Sequence, residues 1–287
     1  RKTWQSIEHQ GSKNSVQFEL AVGQDPIYVA GQEIITNADY ETWMTAQAQT
    51  ENVQYKQLGL STQQRAIGML EISQPTNKEW LVVLGRMHPP EITGALALFP
   101  FVEQLLQQNS RLAAQFNQRF NILVVPNLNP DGVAMGNWRH NANGVDLNRD
   151  WKLFNQVETQ LVRDRLNAIV ASGDNIAFAL DFHSTHHDIF YTMPSGYGLN
   201  PPHLVEDWLN GLADVVAPFK VEQRPGNNPS KGVFKQYIAD TFKVHAITYE
   251  MGDRTDRVMI TNVAKNASDV LMQTLLNTPS ADFKVSN

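Results

Sequence analysis

Short apolar runs alternate with longer amphipathic stretches along most of this chain. Trp80–Leu84, Asn121–Val125, Ile176–Phe182 and Ala246–Tyr249 are dense in aliphatic residues and too short for helices, which predicts buried strands. Ile92–Gln108, Val157–Ala171, His203–Val216, Gly232–Thr241 and Arg257–Leu276 carry apolar residues at helical spacing. Pro89 and Pro90 suit the first turn of the first of these helices, and Gly173 closes the second. Upstream, Asn37-Ala-Asp39 offers N-cap chemistry for a helix reaching about Gln49, and Tyr55–Leu60 with Ala66–Ile72 read as the strands of a hairpin.

Apolar strands separated by helices indicate an α/β fold: a central mixed, largely parallel twisted sheet with helices on both faces. The first segment differs. Residues 1–36 are polar, with a β-like run at Val16–Val22, and are expected to form an N-terminal β extension or the remnant of a small preceding domain; residues 37–287 are expected to form the main domain. The loop-rich stretches Asn127–Asp150, Thr192–Pro202 and Gly226–Ser230 are candidate walls of a site.

Composition narrows the chemistry. The 287 residues suffice for one large domain, and 42% hydrophobic with 18% charged residues is ordinary for a globular core. A net charge of -6 argues against a general nucleic-acid binder, although a local cationic pocket can still take an acidic substrate. With no cysteine, any metal must be held by His and carboxylate. No apolar run reaches the length of a membrane span. The chain begins at Arg1, which points to processing or trimming and leaves the compartment open between cytoplasmic and exported; the oligomeric state is open as well.

Four short blocks carry candidate chemistry: His88-Pro-Pro-Glu91, Gly144-Val-Asp-Leu-Asn-Arg-Asp-Trp151, the His183 that closes Leu180-Asp-Phe-His183, and the Glu250 that closes Ile247-Thr-Tyr-Glu250. His88, His183 and Glu250 each follow a predicted buried strand, and in open α/β sheets ligands bind beyond the carboxyl ends of strands. His88 and Glu91, three apart at a strand-to-helix junction, can face one point. With His183 they make a His-Glu-His set that leaves one zinc position for water. His186 and His187 could serve a second metal, but loop histidines are more often solvated.

These residues resemble the zinc metallocarboxypeptidases of the carboxypeptidase A superfamily, over about Asn37 to Leu276. The stretch Asn127-Leu-Asn-Pro-Asp-Gly-Val-Ala-Met-Gly-Asn-Trp-Arg-His140 through Gly144–Arg149 looks most like the cytosolic-carboxypeptidase branch and its bacterial relatives, and Gly59–Ile67 resembles the hairpin before the first metal motif. The resemblance implies the zinc carboxypeptidase fold and one zinc ion held by His88, Glu91 and His183. Asp146 would orient the His88 ring. Glu250 would act as general base on zinc-bound water and then as acid for the leaving amine. Arg139 would stabilise the oxyanion. Asn148 and Arg149 would hold the substrate's terminal carboxylate, so the partners would be peptide or protein C-termini.

Alternative readings accompany these roles: a surface ion pair between Arg149 and Asp150, a loop cation at Arg139, a turn cap at Asp146, and pairing of Glu250 with Arg254 or Arg257. One departure from the family is plain: a substrate-binding tyrosine is expected near Asn228-Pro229 and is missing, so that either Tyr191, Tyr197 or Tyr237 substitutes or the role is absent. Counting back from Glu250 without a gap places Lys235 at the base of the pocket for the terminal side chain. A cation there implies a preference for terminal Glu or Asp; the alternatives are a solvated helix lysine, or a one-turn slip that brings Lys231 or Gln236 there. The same site could also belong to an amidase or deacylase acting on cell-wall peptides or N-acyl amino acids, or to a zinc-stabilised binding module. The presence of Glu250 and Arg139 weighs against the last.

Overall fold

The computed structural model of the protein describes residues 4–283. The chain divides into two units, Arg1–Ile35 and Thr36–Asn287. In the first, β1 (Gln10–Ser12) and β2 (Ser15–Gln17) pair antiparallel with Gln10 opposite Gln17, and all six residues are exposed. The run predicted to continue to Val22 stops at Gln17, because a two-stranded ribbon with no buried face gains little by extending.

The second unit begins with α1 (Asn37–Gln47), then β3 (Val53–Leu60), β4 (Ala66–Ile72), β5 (Glu79–Gly85), α2 (Ile92–Leu105), α3 (Arg111–Asn117), β6 (Phe120–Val125) and α4 (Pro130–Met135). A single 3-10 turn at Leu147–Arg149 leads to α5 (Val157–Ala171), β7 (Asn175–Thr185), β8 (Ile189–Thr192), α6 (Leu204–Val215), β9 (Gln223–Pro225), α7 (Phe234–Phe242), β10 (Ala246–Gly252) and α8 (Arg257–Asn277). Eight strands form one sheet in the order β3-β4-β6-β5-β7-β10-β8-β9. The centre, β6-β5-β7-β10, is parallel; β3-β4, β4-β6 and β10-β8 are antiparallel, and β8-β9 is parallel.

Helices cover both faces, as the apolar central strands require. On one, Val82 and Leu84 of β5 with Leu123 and Val125 of β6 pack against Val162 and Leu166 of α5 and Phe234 and Ile238 of α7. On the other, Phe182 of β7 meets Phe101 of α2, with ring centroids 5.3 Å apart, and Phe178 meets Trp208 of α6 at 5.6 Å. Among the described residues no helix is long and apolar enough to cross a membrane.

Two starts differ from expectation. The N-cap of α1 is Thr36, which forms a capping box with Asp39. Helix α2 begins at Ile92, so Pro89 and Pro90 lie in the turn before it and Glu91 occupies the N-cap position. His88 and Pro89 each precede a proline, which disfavours helical backbone there. The result is a tight His-Pro-Pro-Glu turn between the end of β5 and the start of α2.

Candidate metal centre and active site

Because β5, β7 and β10 are parallel neighbours, their carboxyl ends meet at one edge. Gly85 is in register with Phe182, and His183 with Glu250. The first turn of α2 lies directly on this edge. A Cβ on Gly94 would stand 2.4 Å from the His183 carbonyl oxygen, so only glycine permits the approach. The Gly94 N–H and the Thr93 hydroxyl both reach Ser184 Oγ at 2.8 Å, which fixes the helix start beside His183. The preceding turn is pinned from outside. Arg86, in left-handed backbone at φ 54°, donates from Nε to the Pro89 carbonyl at 2.8 Å, and Asn129 Nδ2 donates to the Met87 carbonyl at 2.9 Å.

This packing brings His88, Glu91 and His183 together, with one ligand atom from each lying within 4.8 Å of the others. Each oxygen of Glu91 takes one imidazole Nδ1, His88 at 2.6 Å and His183 at 2.6 Å. Each ring turns its Nε2 to a different carboxylate: His88 to Asp146 Oδ1 at 2.9 Å and His183 to Asp181 Oδ2 at 2.6 Å. Burial opposes charge on His88, but the bonds to Asp146 and Glu91 outweigh it and raise its pKa. Burial likewise opposes charge on His183, and Asp181 and Glu91 push its pKa well above the ordinary value. Glu91 resists its own burial and falls to about 2 because the two imidazoles face it.

The donor set fits a zinc ion. Two neutral imidazole nitrogens and a carboxylate are the usual three protein ligands of an open zinc site. Both Nε2–H groups are already held by acceptors, which leaves Nδ1 of each ring as the ligating atom. A cation at this point takes the place of the two Nδ1 protons and leaves the outer hydrogen bonds intact. Among the described residues this is the one group with metal-ligating geometry. His186 is 95% exposed and 3.8 Å from Asp253, and forms no part of it.

Asp146 joins two of the expected residues, since its Oδ2 accepts from Arg139 Nε at 2.7 Å while Oδ1 holds His88. It also caps the 3-10 turn, accepting from Asn148 N–H at 2.9 Å, so one carboxylate makes both the turn cap and the bond to the His88 ring. Glu250 is mostly buried, with Oε2 unpartnered; burial is the main cause that lifts its pKa to about 7. Its proposed pairing with Arg257 is absent, since that guanidinium donates to the Asp253 and Thr255 carbonyls.

Asn148 is buried, and its Oδ1 accepts the Phe234 N–H at 2.9 Å, at the start of α7. That bond fixes the orientation of the amide and turns Nδ2 towards His183, 3.2 Å from its Nε2. Arg149 is exposed and donates to the Asn148 carbonyl at 2.6 Å. Asp150 does not pair with it: both Asp150 oxygens face the other way and accept from Asn155 N, Gln156 N and the Thr159 hydroxyl.

Lys235 is 8% exposed, so it is not a solvated helix lysine. Its ammonium donates to the carbonyls of Thr192 and Gly226 and approaches Met193 Sδ. Among the described residues no carboxylate forms an ion pair with it, and desolvation lowers its pKa to about 8. Lys231 is exposed, and Gln236 is engaged by Tyr197, Asp240 and Asn228. Of the three candidate tyrosines, Tyr197 donates to Asp240, Tyr237 has its hydroxyl buried without a partner, and Tyr191 lies under Arg224.

Sequence reasoning passed over Asp181, Arg86 and Gly94. Asp181 had a usable signal: an acid two residues before a histidine on a strand falls on the same face. Gly94 had none, because the approach of α2 to β7 is visible only in three dimensions.

Comparison with known proteins gives the family. The sequence pattern of the zinc carboxypeptidase family, peptidase M14, matches residues 40–267. Mouse cytosolic carboxypeptidase 6 is 35% identical over 112 residues, which is 36% of this chain and 21% of that protein. The chain thus spans about a fifth of that relative. Among solved structures, a metallo-carboxypeptidase from Pseudomonas aeruginosa, in complex with (2-guanidinoethylmercapto)succinic acid, superposes with a TM-score of 0.74 at 19% identity, covering 94% of this chain and 77% of the other. A metallo-carboxypeptidase from Burkholderia cenocepacia gives 0.71 at 18%, covering 85% and 70%. The family pattern spans most of the chain and includes both strand ends that carry His88 and His183, so this chain belongs to the zinc carboxypeptidase family.

Proposed function

We propose that this protein is a zinc-dependent metallocarboxypeptidase that removes single residues from peptide or protein C-termini and prefers a terminal Glu or Asp. The observation that carries the hydrolytic reading is the meeting of His88, Glu91 and His183 at one strand edge, with the unpartnered Glu250 carboxylate in register beside His183. On this reading residues 37–287 form the catalytic domain.

A single zinc ion held by His88, Glu91 and His183 would supply Lewis acidity to the scissile carbonyl and to an attacking water. Glu250 takes the proton of that water and hands it to the leaving amine. A carboxyl group lifted to about 7 by burial is suited to both transfers near neutral pH. Arg139, its Nε fixed on Asp146, keeps its remaining N–H groups for the carbonyl oxygen as charge develops there. Arg149 and the Asn148 Nδ2 bind the terminal carboxylate. Arg149 carries no internal ion pair among the described residues, and the Phe234 N–H holds the Asn148 amide with its donor end inward.

Support for the acidic preference comes from Lys235. A buried ammonium bonded only to neutral groups is costly, and an incoming carboxylate would relieve that cost. Lys235 follows Phe234, the residue that Asn148 ties, so the pocket base and the terminal-carboxylate site are mechanically joined.

The test is zinc content together with hydrolysis of peptides that differ only in the last residue (Glu, Asp, Leu, Lys), each free or C-terminally amidated. The expected result is one zinc per chain and release of terminal Glu or Asp that is lost on amidation and on chelation. Bound zinc with cleavage that ignores amidation would overturn the exopeptidase reading.

A further inference from the structure

We propose that Asp181 is the positioning residue of His183: its carboxylate holds Nε2–H and so presents Nδ1 as the metal ligand. The inference rests on the metal-centre reading above. Asp181 lies two residues before His183 on β7, and alternation along a strand puts both side chains on the same face. Both are fully buried, at 0% and 1% exposure, and joined at 2.6 Å.

No other contact of the ring can do this work. The one further polar atom at Nε2 is Asn148 Nδ2, at 3.2 Å, and an amide nitrogen cannot accept the Nε2–H. Its orientation is fixed, because Asn148 Oδ1 is committed to Phe234 N–H. Asp181 Oδ2 is therefore the acceptor that sets the tautomer of His183. The other oxygen, Oδ1, is buried and without a partner.

A buried carboxylate with one partner is a poor source of stability. Stability alone does not account for a half-satisfied acid in the middle of the central sheet, flanked in register by Leu84 and Thr248. Orientation does account for it. The two histidines are then held in the same way by unlike parts of the fold. His88 leans on Asp146, which comes from the loop that also steadies Arg139, whereas His183 leans on its own strand.

The experiment compares zinc affinity, by competition with a chromophoric chelator, in wild type, Asp181→Asn and, as calibration, Asp146→Asn. Circular dichroism establishes that each variant is folded. The expected loss for Asp181→Asn is about 10- to 100-fold, as for other acceptors behind a ligating histidine. A folded Asp181→Asn with wild-type affinity would overturn the proposal. A wild type that binds no zinc would instead sink the metal-centre reading. Should the variant not fold, nitrogen-detected NMR of zinc-loaded wild type decides. His183 must show a protected Nε2–H, and an Nδ1–H tautomer contradicts the role given to Asp181.

Discussion

The metal-binding edge and the surroundings of Lys235 on α7 handle buried charge in opposite ways. At the edge the carboxylates around the two histidines each meet an opposite charge: Glu91 between two imidazoles, Asp146 between His88 and Arg139, Asp181 on His183. On α7 a buried ammonium, Lys235, rests on carbonyl oxygens and a thioether, and Arg149 rests on a carbonyl as well. The first arrangement is closed and holds its geometry without substrate. The second leaves a buried ammonium without a counter-charge, and on the proposed reading an anionic ligand completes it. On the proposed reading the difference separates a reacting centre, which the fold must pre-organise, from a specificity site, which the substrate itself finishes.

The comparison breaks most visibly at Glu250, whose Oε2 is buried without a partner beside His183. Glu250→Gln keeps the shape and removes the base, so kcat should fall by about 100- to 10,000-fold with zinc content unchanged. A smaller effect would move the base elsewhere. In the pocket, Lys235→Met keeps length and removes charge. It should lower kcat/KM for Glu-terminated peptides by at least about tenfold and leave Leu-terminated ones unchanged or improved, as expected when one member of a buried charge pair is removed.

The smallest effect sharpens the comparison by pH. Lys235 is held near 8, below its ordinary 10.5, so it is cationic below about 8 and neutral above it. The preference of kcat/KM for Glu over Leu should therefore be full at low pH and fade as pH rises through about 8. Stability follows from the same shift. A depressed lysine pKa means that the folded state binds fewer protons than the unfolded chain between about 8 and 10.5, so this group's penalty shrinks as pH rises through that window. Thermal melts of wild type and Lys235→Met across pH 7–10 would show the wild type gaining on the variant; parallel curves would mean that Lys235 is not desolvated.

Much of this was legible in the chain because two signals coincide. Apolar runs such as Trp80–Leu84 and Ile176–Phe182 are central strands that helices on both faces keep buried, and a polar residue at the tip of such a run has few structural reasons to be there. His88, His183 and Glu250 stand out in the sequence for that reason. Helix α5 was read at its observed ends because its periodicity is unbroken. Short elements such as α3, α4, β8 and β9 were not readable; the two helices are two turns or less and carry too little periodicity, and β8 and β9 are four and three residues long. The state of Lys235 was also beyond the sequence. A lysine in a helical run reads as solvated or buried alike, and only the closure of the Thr192 and Gly226 carbonyls around its ammonium decides.

The most direct measurement is the ratio of kcat/KM for two peptides that end in Glu and in Gln, with the protein zinc-loaded at pH 7. The side chains share shape and differ in charge, so the ratio isolates the incomplete cationic pocket. A preference for Glu of tenfold or more is predicted, since a charge-assisted bond to a desolvated ammonium is worth about 1.5–3 kcal/mol. Equal rates, with both peptides cleaved, would contradict the account of Lys235 and leave the zinc centre standing alone.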